Sequence, residues 1–176
     1  TKIILQGGGG HARVVLDCLL SQGVAVVGIF DPKHTGHIMG IPLRGEYDPG
    51  VEADALAIIA IGDNAVRKQV AERTGHSFVN TLHSSAIFSK HSRMGTGNMI
   101  LHGSIVQAQT TIGNHVIINT GAQVDHDCVV EDFVHLAPGA RLCGNVYIGE
   151  GTLIGAGAVI IPGKKIGAWA TIGAGA

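Results

Sequence analysis

The residues most able to do chemistry stand together in Asn119-Thr120-Gly121-Ala122-Gln123-Val124-Asp125-His126-Asp127-Cys128. The surrounding chain alternates aliphatic and small residues, so the Asp-His-Asp run stands out from it. An imidazole with a pKa near about 6.5 exchanges protons at physiological pH, which suits His126 to general base work. A neighbouring carboxylate, here Asp127, fixes the ring tautomer and stabilises the imidazolium that forms. An isolated Asp-His-Asp is more often a solvated histidine between two solubilising acids, so context has to decide. A second cluster is Gly7-Gly8-Gly9-Gly10-His11, placed between an apolar run and an apolar-periodic stretch. Backbone N–H groups in such a loop can face a phosphate at a helix N-terminus. Its bland alternative is a tight strand-to-helix turn.

The element that positions His126 is legible as a period of six. Every sixth residue from Leu82 to Ile172 is apolar, through Ile100, Val106, Ile118, Val124, Leu136 and Ile154. Chance would give such a column on the order of once in 10^5 sequences. The next residue is often glycine (Gly95, Gly113, Gly149, Gly155, Gly167, Gly173). The fourth is small or β-branched, as at Ser104, Thr110, Ala122, Cys128 and Ala140. A six-residue period suits a triangular coil with one hexad per side, about 18 residues per turn and about five coils. The aliphatic points inward, the next residue makes the corner, and coils pair as parallel strands about 4.8 Å apart. No residue is inserted along this run, so a site has to be built on the flat faces or between chains. One coil beyond His126 lies Gly144, whose N–H no side chain shields and which can donate to an oxyanion. His135 lies half a coil round, so it should face away from His126 and approach one only from a neighbouring copy. A symmetric trimer would supply that copy.

Residues 1–80 follow another pattern. Lys2–Leu5 reads as a strand, Ala12–Leu20 as a helix ending near Gly23, and Val24–Phe30 as a second strand ending at Asp31-Pro32. The segment 33–53 reads mostly as loop, Ala55–Ile61 as a third strand, Ala65–Arg73 as a second helix and Ser77–Asn80 as a short strand. Such an order makes a small parallel α/β sheet, which binds ligands beyond its C-terminal strand ends. There Gly7–His11, Asp31 and Gly62-Asp63-Asn64 would converge. Gly7-x-Gly9-x-x-Ala12, with Asp31 at ribose-reading distance, meets the loose dinucleotide fingerprint. A sheet of this size suits one nucleotide or a nucleotide-sugar better.

Composition narrows the classes. A net charge of −1 offers no broad basic surface, which argues against nucleic acid or a membrane surface as partner. No apolar run reaches transmembrane length and no signal peptide is visible. Cys18, Cys128 and Cys143 are odd in number and lack metal spacing, so a reduced, cytoplasmic setting is expected. Of the ten histidines, His34, His37, His76 and His83 are expected in solvated loops. Some hexapeptide-repeat proteins similar to carbonic anhydrases hold zinc with histidines five residues apart; no such pair occurs here, and no metal is expected.

Taken together, the glycine loop with His11, Ile61-Gly62-Asp63-Asn64, Asn119-Thr120, His126-Asp127, His135, Gly144-Asn145-Val146 and Ile148-Gly149 resemble a known family. It is the bacterial sugar O-/N-acetyltransferases of the sialic-acid O-acetyltransferase type. The branch that acetylates UDP-4-amino-4,6-dideoxy-N-acetylglucosamine in bacillosamine synthesis is the most similar. The resemblance implies a Rossmann-like nucleotide-sugar-binding α/β domain over 1–80 and a left-handed parallel β-helix over 81–176. It also implies an acetyl-CoA-dependent bacterial homotrimer with sites between subunits. His126 would be the base, Asp127 would raise its basicity where relatives often have Glu, and the Gly144 N–H would hold the oxyanion. His135, Gly144, Ala156 and Ala174 would contact acetyl-CoA. Gly9, Gly10, His11, Asp31, Gly62 and Asn64 would hold the nucleotide-sugar. Pro32 stands where some relatives have a second acid. The family usually continues past the last coil with a Gly-x-Pro-Ala-Lys-like tail, whereas this sequence ends at Ala176.

The expected function is acetyl transfer to the 4-amino group of a UDP-amino-dideoxy sugar by direct attack. Sugar O-acetylation is the enzymatic alternative, and a non-catalytic nucleotide-sugar-binding or structural β-helix the alternative of another class.

Overall fold

The computed structural model describes residues 1–176. Its N-terminal part has strand β1 (Lys2–Gln6), helix α1 (Gly10–Ser21) and strand β2 (Ala25–Phe30). A hairpin of β3 (His37–Ile38) and β4 (Ile41–Pro42) follows, then β5 (Leu56–Ile59) and helix α2 (Asn64–Arg73). The hairpin falls in the segment expected as loop. The sheet is parallel in the order β2-β1-β5, and Phe78 adds a single bridge to Ala57 where a fourth strand was expected. Successive side chains of β1 point to opposite faces. Ile3 and Leu5 therefore join one cluster with Val15, Leu16 and Leu19 of α1, while Ile4 joins another with Phe30, Ala55 and Ala57.

From Thr81 the chain winds as a parallel β-solenoid of two-residue strands, ending at Thr171–Ile172. The strands form three sheets of six, five and five. Thr81, Met99, Ile117, His135, Leu153 and Thr171 stand in register, as do Ile105, Gln123 and Arg141, each 18 residues from the next. The second residue of each pair points inward and makes the aliphatic core, in which Ile118, Val124, Leu136 and Ile148 are wholly buried.

The corners differ in detail from expectation. The left-handed turn falls three residues after the aliphatic, at Gly103, Gly121, Gly139 and Gly157 but also at Gln109, His115, Asp127 and Asn145. Glycine directly after the aliphatic answers another need. A Cβ on Gly149 would lie 2.6 Å from Ala168 N and one on Gly155 2.6 Å from Ala174 N, so those positions serve close stacking of coils.

The N-terminal domain sits on the six-stranded face. Met99, Leu101 and Ile117 of the solenoid share the α1 cluster. α2 carries no apolar stripe; its one buried side chain is Arg67. The guanidinium donates from Nε to His115 O (2.9 Å), from Nη1 to Ile61 O (2.9 Å) and Gly62 O (3.2 Å), and from Nη2 to Asn64 Oδ1 (2.7 Å) and Phe133 O (2.8 Å). Burial pushes its pKa down to about 9. Oriented carbonyl dipoles, rather than a paired carboxylate, compensate this charge. No helix is long and apolar enough to cross a membrane.

Candidate active site

His126 lies on the edge where the two five-stranded faces meet, opposite the face that carries the N-terminal domain. Asp127 occupies the left-handed corner (φ 59°), a conformation that aspartate tolerates better than most residues. From there its short side chain reaches the ring, with Oδ2 2.7 Å from His126 Nδ1. A carboxylate only accepts, so Nδ1 carries the proton and Nε2 is left as the basic nitrogen. Asp125 Oδ1 accepts from the His126 N–H at 2.8 Å. The bond to Asp127, followed by the field of Asp125, raises the His126 pKa above its ordinary value.

The imidazole lies against Gly144. A Cβ there would fall 2.6 Å from His126 Cε1 and 2.7 Å from Nε2, so a side chain would displace the base. Gly144 O accepts from Gly163 N (3.0 Å), while its N–H has no acceptor within the chain. Beneath the edge, the buried Cys128 thiol donates to Cys143 O at 3.2 Å and fills space. A base and a free N–H donor thus share one edge. That combination serves attack on a carbonyl, with the donor holding the oxygen that becomes negative.

The second part of the site is a cleft of about 570 Å³ at the C-terminal ends of β1, β2 and β5, lined by Gly9, Gly10, His11, Asp31, Tyr47 and Gly62. Lys33 and Arg73 bring cationic groups to it. α1 begins after Gly9 without a side-chain cap, and side chains built on Gly9 or Gly10 would meet nothing within 4 Å. The first-turn N–H groups therefore stand uncovered.

Asp31 is buried and committed to the loop itself. Oδ2 accepts from Gly8 N (2.5 Å), and Oδ1 from Lys33 N (2.8 Å), His34 N (3.1 Å) and His34 Nδ1 (2.9 Å). Burial works against its charge, but the Gly8, Lys33 and His34 donors outweigh that and hold its pKa below the usual value. The expected ribose-reading acid is first a knot that shapes the glycine loop.

The other expected residues fall at the domain junction and beyond it. Asn64 does not face the cleft: Nδ2 donates to Gly151 O (2.9 Å) and Oδ1 accepts from Arg67, so both ends of its amide tie α2 to the solenoid. His135, expected to contact the coenzyme, has both ring nitrogens engaged within the chain. Nδ1 meets Gly62 O at 3.2 Å and Nε2 meets Asn119 Nδ2 at 3.0 Å. Its ring lies 6.0 Å from that of His11. Burial, then the Arg67 charge, lowers the pKa of both histidines to about 4. Ala156 and Ala174 are exposed and one coil apart, on the corner after the docking face. They are therefore remote from His126 of the same chain. His76, expected in a solvated loop, is buried, with Tyr47 Oη 2.6 Å from Nδ1 and Glu52 O 3.1 Å from Nε2. No His, Cys, Asp and Glu side chains cluster in a way that could hold a metal ion. Arg67 emerges as a site-shaping residue without a sequence signal beyond its polarity, and Asn119, marked by its polar segment, gains a specific partner in His135.

Known proteins share this architecture and sequence. Residues 2–74 match the family described as PglD N-terminal domain, and residues 127–162 match bacterial transferase hexapeptide (six repeats). GDP-perosamine N-acetyltransferase from Escherichia coli is 34% identical over 108 residues, covering 60% of this chain and 49% of the relative. UDP-N-acetylbacillosamine N-acetyltransferase from Bacillus subtilis is 38% identical over 114 residues, covering 57% and 51%. The chain spans about half the length of these curated relatives. The crystal structure of PerB from Caulobacter crescentus, in complex with CoA and GDP-perosamine, superposes with a TM-score of 0.93 at 38% identity. That match covers 99% of this chain and 87% of that one. The solenoid is thus the left-handed β-helix of hexapeptide repeats.

Proposed function

The chain belongs to the hexapeptide-repeat sugar acetyltransferases with a PglD-type N-terminal domain, and from that premise we propose that it is an acetyl-CoA-dependent N-acetyltransferase of a nucleotide-linked amino sugar. The observation that carries this is the edge itself: His126 oriented by Asp127, with its imidazole packed against Gly144, whose N–H is free. The acceptor is the 4-amino group of a UDP-amino-dideoxy sugar. The GDP-linked relatives favour a GDP-sugar as the second reading.

The amine nitrogen attacks the thioester carbonyl directly. The Gly144 N–H donates to the oxygen as it becomes negative. His126 Nε2 takes the proton that the amine loses as the C–N bond forms, and Asp127 steadies the imidazolium through Nδ1. The C–S bond then breaks, the coenzyme leaves as thiolate, and the proton on His126 is available to it. No acyl-enzyme is formed.

Within one chain the cleft and His126 lie on opposite sides of the solenoid, so they meet only between copies. A homotrimer, in which the His126 edge of one subunit faces the cleft and the Ala156–Ala174 corner of the next, answers that geometry. The three free thiols fit a cytoplasmic setting in a bacterial cell.

The test is thiol release from acetyl-CoA with a panel of UDP- and GDP-linked amino sugars and hydroxyl-bearing counterparts. Release with amino acceptors, lost in His126→Ala while acetyl-CoA still binds, supports the reading. Release with hydroxyl acceptors alone would replace it with O-acetylation, and silence throughout would leave a binding protein.

A further inference from the structure

The chain of bonds around His135 has a fixed direction. Gly62 O only accepts, so His135 Nδ1, 3.2 Å away, must carry the proton. Nε2 is then a bare acceptor, and the Asn119 amide 3.0 Å away donates to it. Asn119 is held that way round because its Oδ1 accepts from Thr120 N at 2.8 Å. Arg67 Nη1 adds donors to Gly62 O and to Ile61 O. Every member has one consistent role, from the solenoid corner to the loop under the cleft.

The consequence lies on the other side of that loop. In a trans peptide the N–H points opposite to the C=O of the same unit. Pinning the Ile61 and Gly62 carbonyls toward the solenoid therefore turns the N–H groups of Gly62 and Asp63 away from it. Neither N–H has an acceptor within the chain. Both belong to the strand-end turn that borders the cleft, where Gly62 is part of the lining.

We propose that Asn119 and His135 are positioning residues, a relay that fixes the Gly62 peptide so that the N–H groups of Gly62 and Asp63 are presented to an oxygen of the nucleotide-sugar. This rests on the function proposed above and gives His135 a role toward the sugar half of the site. The neutral state of His135 agrees with it: burial, then Arg67, lowers its pKa to about 4, so Nε2 stays free to accept.

The experiment compares His135→Phe, His135→Gln and Asn119→Asp in the full chain. His135→Phe keeps a ring but loses both bonds. The KM for the nucleotide-sugar, and the Kd for the bare nucleotide UDP or GDP, should rise about three- to tenfold, the worth of one hydrogen bond. The KM for acetyl-CoA should move far less. His135→Gln retains a donor and an acceptor and should recover part of the loss. Asn119→Asp replaces the donor with an acceptor, so Nε2 must carry a proton, moved from Nδ1 or taken from solvent as the new carboxylate favours the imidazolium. Nitrogen-15 correlation spectra should then show the Nδ1–H form in the parent and a protonated Nε2 in the variant, with the same rise in sugar KM if Nδ1 has given up its proton. A rise confined to acetyl-CoA KM, no change in either, or an Nε2–H parent would overturn the relay. If the parent acetylates no nucleotide amino sugar, the proposed function fails, while the nucleotide Kd and the tautomer still decide the relay.

Discussion

His126 and the histidines of the domain junction sit in one small chain, on opposite sides of one solenoid, and their surroundings push them in opposite directions. At the junction, burial and the Arg67 charge lower the pKa of His11, His115 and His135 to about 4, so these rings are neutral structural parts at physiological pH. On the far edge the His126 side chain is 59% exposed, and Asp127 and Asp125 raise its pKa. The lesson is that a histidine acquires its role from burial and charge, not from its type. A ring buried beside a cation stays neutral, and His135 there is a fixed donor and acceptor; a ring in water beside two carboxylates can take up a proton and return it.

The change with the largest expected effect removes the exposed member. His126→Ala should lower turnover by about 10²-fold or more, measured by thiol release, with acetyl-CoA binding retained. An enzyme that kept near-normal turnover would erase the functional half of the contrast. Gly144→Ala should come next. Its backbone suits alanine, but the new Cβ displaces the ring, so turnover should fall about 10- to 100-fold while the melting temperature holds. Asp127→Asn keeps the reach to Nδ1 but removes the charge. Since that carboxylate raises the His126 pKa and the base works only unprotonated, the acid limb of kcat/KM should move to lower pH.

The junction is probed through stability. Arg67→Met keeps the stem but leaves the carbonyls of Ile61, Gly62, His115 and Phe133 without their donor. Unfolding by denaturant should report a loss of about 1–3 kcal/mol. The pH response of the junction has a definite sign. Folded-state pKa values near 4 lie below the unfolded value of 6.5, so between these the unfolded chain binds more protons. Stability is fully present above pH 6.5 and falls as pH drops toward 4, by at most about 1.4 kcal/mol per pH unit for each ring. Melting temperatures across this window that stayed flat would mean the junction rings are not buried in solution.

Much of the solenoid was legible in the residues because its core is periodic along the chain. Each coil repeats the same burial problem 18 residues later, so one column of aliphatics from Leu82 to Ile172 records the inside of the prism. The same count placed Gly144 beside His126, and in the structure the imidazole lies directly over that glycine, where a Cβ would otherwise stand. The short hairpin at His37–Pro42 was not legible, because two-residue strands leave no alternation to read. The distinction between corner glycines and stacking glycines was hidden for a related reason: φ and interatomic distance are not written in residue type.

What the sequence determined by itself was therefore the periodic architecture and the local groups, the Asp-His-Asp run and the glycine loop, whose partners lie nearby or at a fixed repeat. Only the tertiary structure decided the fate of Arg67, Asn64, Asn119 and His135. Arg67 finds carbonyls 48 and 66 residues away, and His135 finds Gly62 at a separation of 73. Whatever its side chain, every residue offers the same carbonyl, so such bonds leave no mark in composition or spacing. A buried cation or imidazole satisfied by backbone becomes visible only once the two domains are packed together.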